Sequence, residues 1–313
     1  MRRTMERQPK DLRALLAAPT PAEAAAARIE RCPRVFLSGT GTSWHAANHG
    51  AFMLREAGVE AWAVEASQAV LHGPRPERED ALILLSHRGT KRHAGTLSED
   101  ARARGVTVVA IGGVGAPGAD IETVAQEESA AYTASHLGAL MRLAQVAAAL
   151  GADLGDLDAV PDAVAAALAE AGAGVEPPER LLQFTGEGPN RWTSAEGALK
   201  VRETAAVAAD GLSAEQLLHG PVAALGPRDG LVALDGGGPG AARVAEVAAA
   251  AERSGVPVCT FRATALGEAL SVFPLTAAVQ RIALETAELL GTDPDAFGYD
   301  RPERKAAFEG IAL

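Results

Sequence analysis

Only two cysteines, Cys32 and Cys259, occur in this 313-residue chain, and they lie far apart without the spacing of a metal-binding pair. That argues against a disulfide framework and gives a zinc site no support. Positive charge is scarce too: 29 lysines and arginines against 40 acidic residues leave a formal net charge of −11. Nucleic-acid and anionic-membrane surfaces need spread-out positive charge, so neither partner is expected and a small soluble one is. No apolar run reaches the roughly 18 residues that a membrane helix requires. The amino-terminal MRRTMERQPKDLRALL alternates charge with leucine, which predicts a short amphipathic helix rather than a secretion signal. A reducing cytoplasm is the expected location.

The chain matches itself. FLSGTGTSWHAANHGAFMLRE (36–56) aligns with QFTGEGPNRWTSAEGALKVRE (183–203), pairing Gly39 with Gly186, Gly41 with Gly188, Arg55 with Arg202 and Glu56 with Glu203, each pair 147 residues apart. The same shift carries VLHGP (70–74) onto LLHGP (217–221), so His72 meets His219. A fixed offset of this kind signals duplicated architecture. Within each half, short apolar runs alternate with alanine-rich amphipathic stretches, the βαβ pattern of a parallel sheet. VFLSG, ALILLS and VTVVAIGG are the expected strands of the first half, and RLLQFTG, GLVALDG and VPVCTF those of the second. The fold class is α/β, two successive α/β sandwiches. Length favours two domains. The proline- and glycine-marked AGAGVEPPER (171–180) sets the boundary near 155–175, giving domains 1–160 and 161–313.

Two turns attract attention as ligand sites. SGTGTSWHAA closes a strand and opens a helix, with Thr42 and Ser43 at the expected cap, so backbone N–H groups and two hydroxyls converge where a phosphate binds well. LLSHRGTKRHAG (84–95) supplies a second such turn, and ligands of open α/β sheets gather where strand-to-helix turns face one another. Arg88, Lys91, Arg92 and His93 crowd that helix start, where positive charge is disfavoured unless an anion compensates it. A solvated basic face is the alternative. Thr133 and Ser135 in AAYTASHLGAL mark a third helix start.

GALKVRETAAVAADGLSAEQLLHGP (197–221) places Lys200, Glu203 and His219 in an alanine-rich setting. Thr193 and Glu196 have capping-box spacing, which predicts a helix from Thr193 to about Ala209 with Glu196, Lys200 and Glu203 on one face. Lys200 then neutralises either carboxylate, or the group is a plain surface salt bridge. The first half keeps Arg55, Glu56 and His72 but has Met53 where the second has Lys200. A glutamate beside a substrate carbon can move protons between adjacent carbons, a histidine can assist ring opening, and a lysine can polarise or condense with a carbonyl.

Through SGTGTSWHAA, VEASQAVLHG, LLSHRGTK, ESAAYTASHLGAL and EGALKVRETAAVAADGLSAEQLLHGP, the chain resembles the sugar isomerase (SIS) domain family, above all the tandem-SIS isomerase half of glucosamine-6-phosphate synthase. The resemblance implies two tandem SIS domains, each a three-layer α/β/α sandwich of flavodoxin-like type. It implies a dimer that binds a phosphorylated sugar or amino sugar between SIS modules, without metal or organic cofactor. Phosphate ligands map onto Thr42, Ser43, Ser86 and Thr133. Glu203 becomes the proton-transferring carboxylate, Lys200 its support, His219 the ring-opening group, and Lys305 the lysine of the C-terminal loop. With no glutaminase domain ahead of it, ammonia from glutamine is not expected. The family's SQSGET pattern reads Ser86-His87-Arg88-Gly89-Thr90-Lys91 here. Arg88 and Lys91 then either grip phosphate through charge-assisted bonds or fill the pocket. The expected activity is aldose–ketose isomerisation coupled to removal or transfer of an amino group on a phosphorylated amino sugar or Amadori-type conjugate. A sugar-phosphate sensor regulating a partner is the rival.

Overall fold

The computed structural model describes residues 1–170, 174–296 and 302–310. In chain order its elements are α1 (Arg2–Glu6), α2 (Gln8–Leu16), α3 (Thr20–Ile29), β1 (Val35–Gly39), α4 (Thr42–Glu56), β2 (Ala61–Glu65), α5 (Ala66–Leu71), β3 (Ala81–Leu85), α6 (Arg92–Ala103), β4 (Thr107–Gly112), β5 (Ile121–Glu122), α7 (Ala134–Ala149), α8 (Val160–Ala169), β6 (Leu182–Gly186), α9 (Asn190–Ala205), β7 (Ala209–Ser213), α10 (Ala214–Leu218), β8 (Gly230–Asp235), α11 (Ala241–Arg253), β9 (Val258–Arg262), α12 (Glu268–Leu290) and α13 (Pro302–Phe308). Packing divides them into two units. The N-terminal unit comprises Lys10–Glu128 and Ala134–Asp158; the C-terminal unit comprises Met1–Pro9, Ser129–Thr133 and Ala159–Gly310.

Each unit is built on a parallel sheet, ordered β2-β1-β3-β4-β5 in one and β7-β6-β8-β9 in the other. β1 and β6 start 147 residues apart, at Val35 and Leu182, and each lies between the next two strands of its unit. Of the strands read from sequence, β1, β3 and β6 are buried along their whole length, where continuous apolar runs are obligatory, whereas β9 is a half-buried edge strand that VPVCTF made legible by its β-branched and aromatic residues. Edge strands β2 (AWAVE) and β7 (ADGLS) were not anticipated, because an edge needs less apolar character and theirs is broken by glutamate, aspartate and glycine.

Helices cover both faces of each sheet. Phe36, Leu82 and Leu84 pack with Ala94, Leu97 and Ala101 of α6, whereas Leu37 faces Gly50 of α4 and Leu143 of α7. In the C-terminal unit Leu231 and Ala233 pack with Val244, Val247 and Ala251 of α11; Phe184, Val232 and Leu234 pack with Ala198 and Val201 of α9 and Leu275 and Val279 of α12. A glycine in the same place sets the approach in both. A Cβ on Gly50 would stand 2.8 Å from side-chain carbons of Leu143 and Leu37, and one on Gly197 would stand 2.9 Å from Val279 Cβ and 3.0 Å from the Phe184 ring.

Each closing helix also carries a buried arginine that satisfies the carbonyls at an earlier helix end. Arg142 Nη1 donates to Leu15 O at 3.3 Å in the last turn of α2 and to Ala18 O at 2.6 Å just past it. Arg281 Nη1 donates at 2.7 Å to Ala167 O and Glu170 O, at the end of α8. Carbonyls at helix C-termini run short of backbone donors, and the two arginines supply side-chain ones.

Helix starts differ from expectation. α9 begins at Asn190, not Thr193, and ends at Ala205 before Ala206 in the left-handed region. The capping box does not form: Thr193 Oγ1 donates to Asn190 Oδ1 at 3.1 Å, and Glu196 is fully buried one turn inside the helix. Thr42 and Ser43 are the first residues of α4, with Gly41 at the cap.

Candidate functional site

The first turn follows β1 on two glycines. A Cβ on Gly39 would stand 2.6 Å from the backbone of Ser43, so the strand end and the first turn of α4 touch, and Gly41 takes φ 58°, which L side chains rarely adopt. Thr40 Oγ1 donates at 3.2 Å to Glu65, whose carboxylate also accepts Ser67 N and Gln68 N to cap α5. Burial alone would raise the Glu65 pKa, but these donors hold it below the usual carboxylate range. Thr42 and Ser43 are half-buried at the helix start.

The second turn runs from Ser86 to Lys91. Ser86 N donates to Ile111 O at 3.0 Å and Gly89 N to Ser86 O at 3.1 Å, while the Ser86 hydroxyl is buried with no hydrogen-bond partner among the described residues. His87 is engaged in structure: its carbonyl accepts Gly113 N and Gln126 Nε2, and its Nε2 accepts Glu127 N at 3.2 Å. Arg88 and Lys91 are exposed, Lys91 being the residue that precedes α6. Thr133 immediately precedes α7 and groups with the C-terminal unit, where its hydroxyl lies 2.8 Å from that of Thr4 and its carbonyl accepts Gln280 Nε2. Thr42, Ser43 and Ser86 thus belong to one unit and Thr133 to the other.

The acid–base candidates lie on α9. Lys200 is buried, with Nζ 2.6 Å from Glu203 Oε2 and 3.4 Å from Glu196 Oε1. Burial pushes an ammonium toward neutrality, but the charges of Glu196 and Glu203 more than offset it and hold the Lys200 pKa above its ordinary value. The ammonium form of Lys200 is thus favoured, and in that form its Nζ donates to Glu203 Oε2. Glu196 has no exposed side chain, whereas Glu203 is 22% exposed, so of the two carboxylates Glu203 is the one within reach of a ligand. Glu196, which the helical spacing puts on the same face without suggesting a role of its own, supplies the second negative charge that favours the Lys200 ammonium.

His219 lies on a different element from that group. It follows α10 with its side chain 70% exposed, and its Nε2 lies 2.9 Å from Oε1 of Glu215, whose Oε2 pairs with Arg243 Nε. Lys305 is exposed on α13. Among the described residues no group of three or more histidine, cysteine, aspartate or glutamate side chains is arranged to hold a metal, and no helix is long and apolar enough to cross a membrane.

Residues 28–136 match the SIS domain family. The isomerizing glutamine–fructose-6-phosphate aminotransferase of Chlorobaculum tepidum is 27% identical over 220 residues, 63% of this chain but only 36% of that protein. Among solved structures, the C-terminal domain of glucosamine-fructose-6-phosphate aminotransferase from Francisella tularensis superposes with TM-score 0.77 at 20% identity, covering 93% of this chain and 96% of that one. Glucosamine-6-phosphate deaminase from Thermotoga maritima does so with TM-score 0.74 at 18% identity, covering 95% and 98%. At such identities the likeness is one of fold. Residues 28–136 thus match the SIS domain, and the chain is similar over 63% of its length to part of an isomerizing glutamine–fructose-6-phosphate aminotransferase.

Proposed function

We propose that the chain is a phosphosugar enzyme that couples aldose–ketose isomerisation to removal or transfer of an amino group on a phosphorylated amino sugar or Amadori-type conjugate. The observation that carries this reading is the buried Glu196–Lys200–Glu203 group, in which only Glu203 is accessible. A sensor needs a phosphate site but has no use for a buried ammonium that poises one accessible carboxylate. In this reading Thr42, Ser43 and Ser86 take the phosphate, with Arg88 and Lys91 adding charge-assisted bonds. Glu203 moves the proton between C1 and C2, and Lys200 keeps it ionised. His219 opens the ring in a dimer, and Lys305 closes over the sugar. Homology to aminotransferases that act on fructose 6-phosphate supports the substrate class. A cytoplasmic location goes with it.

The test is Glu203→Gln, assayed on phosphorylated amino sugars and fructosyl amino acids chosen by thermal shift. Turnover is expected to be lost while ligand-induced stabilisation stays within about a degree of the parent. Unchanged turnover removes Glu203 from the chemistry, and a chain that binds these ligands without turning any over leaves the sensor.

A further inference from the structure

The C-terminal unit has the same pair of strand-to-helix turns as the N-terminal unit, and their glycines match. Gly41 and Gly188 have φ 58° and 56°; Gly89 and Gly238, each in the turn after its unit's next central strand, have φ 69° and 77°. What lies between the turns differs. A Cβ on Gly188 or on Gly238 would overlap the carboxylate of Glu268, the first residue of α12. Both glycines thus clear space for that one side chain. On Gly240 a Cβ would run into Glu187.

The groups that would otherwise take an anion have been reassigned. Pro189 and Asn190 stand at the repeat positions of Thr42 and Ser43. Proline offers neither a hydroxyl nor an N–H, and buried Asn190 donates through Nδ2 to Ser271 Oγ at 2.8 Å on α12. Ser271 Oγ in turn donates to Glu268 O at 2.7 Å, which ties the start of α12 to the start of α9. Two long helices therefore begin at this concavity, their N-termini favour negative charge, and the negative charge present is the protein's own.

We propose that the C-terminal unit retains a second anion cradle of the phosphate-binding kind, and that the Glu268 carboxylate occupies it as a built-in substitute for phosphate. The proposal rests on the phosphate-site reading only for the comparison with the N-terminal turns. A phosphate group and the Glu268 side chain exclude each other, so the chain takes phosphate through the N-terminal turns alone.

Equilibrium dialysis with radiolabelled inorganic phosphate, on the full chain and on Glu268→Ser, tests this, with circular dichroism as the check on folding. One phosphate per chain in the parent and two in the folded variant is the expected result. None in the parent and one in the variant would sustain the second cradle while removing the phosphate reading of Thr42, Ser43 and Ser86. Equal binding by parent and variant, whether none or one, overturns the proposal. So does a parent that binds two, a measurement that needs no variant and decides the matter should Glu268→Ser fail to fold.

Discussion

Helices α4 and α9 occupy the same place in their two units: each follows the first central strand, crosses to the edge strand and packs on the closing helix through a glycine, Gly50 or Gly197. Their buried faces differ. Where α9 has Glu196 and Lys200, α4 has His49 and Met53, with the His49 ring edge-on to His136 and its Nδ1 2.8 Å from His45 O. Residues common to both helices serve the shared scaffold: the glycines set helix approach, and Arg55 Nη1 donates to Ala61 O on edge strand β2. Residues that differ mark where the units have taken separate chemistry, hydroxyls at Thr42 and Ser43 in one and an ion group at Lys200 in the other. At the glycines and at Arg55 agreement thus reports packing; Glu56 and Glu203 also agree, and what sets Glu203 apart is the Lys200 ammonium beside it where α4 has Met53.

The largest expected effect comes from copying α4 into α9. Lys200→Met removes the cation 3.4 Å from Glu196 Oε1 and leaves a fully buried carboxyl group behind. Stranding one member of a buried ion pair costs about 3–5 kcal/mol. Urea denaturation should show a loss of that size, and the double variant Glu196→Gln/Lys200→Met should recover most of it. If single and double variants are equally unstable, packing volume rather than charge is what Lys200 contributes.

A smaller effect separates the two glycines. Gly197→Ala meets Val279 Cβ, an atom fixed to the α12 backbone, and the rigid ring of Phe184, whereas Gly50→Ala meets only the ends of two leucine side chains. Overpacking costs about 1–3 kcal/mol. Gly197→Ala should fall at the upper end of that range and Gly50→Ala at the lower, read from urea midpoints of the two variants. The reverse order would mean that α9 and α12 slide apart more readily than α4 and α7.

Legibility followed burial. The 147-residue offset, the central strands and the Lys200–Glu203 pairing were readable because side chains buried on a regular element repeat with its period. Edge strand β7 was not, since ADGLS carries no such pattern. Its Gly211 is required by the backbone of Ser194 and Ala195 of α9, which a Cβ there would strike. The start of α9 was misplaced because Thr193 and Glu196 have the spacing of a cap while serving two interior contacts. Glu268 gave no local signal, for its place depends on glycines some 30 and 80 residues away in the chain; the run GGGPG after β8 was the one hint that something needed room.

The mildest test uses pH and again sets α9 against α4. The folded-state pKa of Lys200 lies above the ordinary 10.5. A cation favoured by folding gives its full contribution below the unfolded value and loses it as pH rises past that value toward the folded one. The part of the stability difference between the parent and Lys200→Met that belongs to the ammonium should therefore shrink above about pH 10, whereas the stranded Glu196 carboxyl, whose pKa burial raises in the variant, makes the difference grow as it ionises at lower pH. Met53→Leu in α4, where nothing titrates at that position, should give a difference that is flat throughout. Urea midpoints above about pH 10 decide it. A Lys200→Met difference as flat there as that of Met53→Leu would mean that the ammonium is no better held in the folded chain than in the unfolded one, and the two carboxylates would lose their role as its partners.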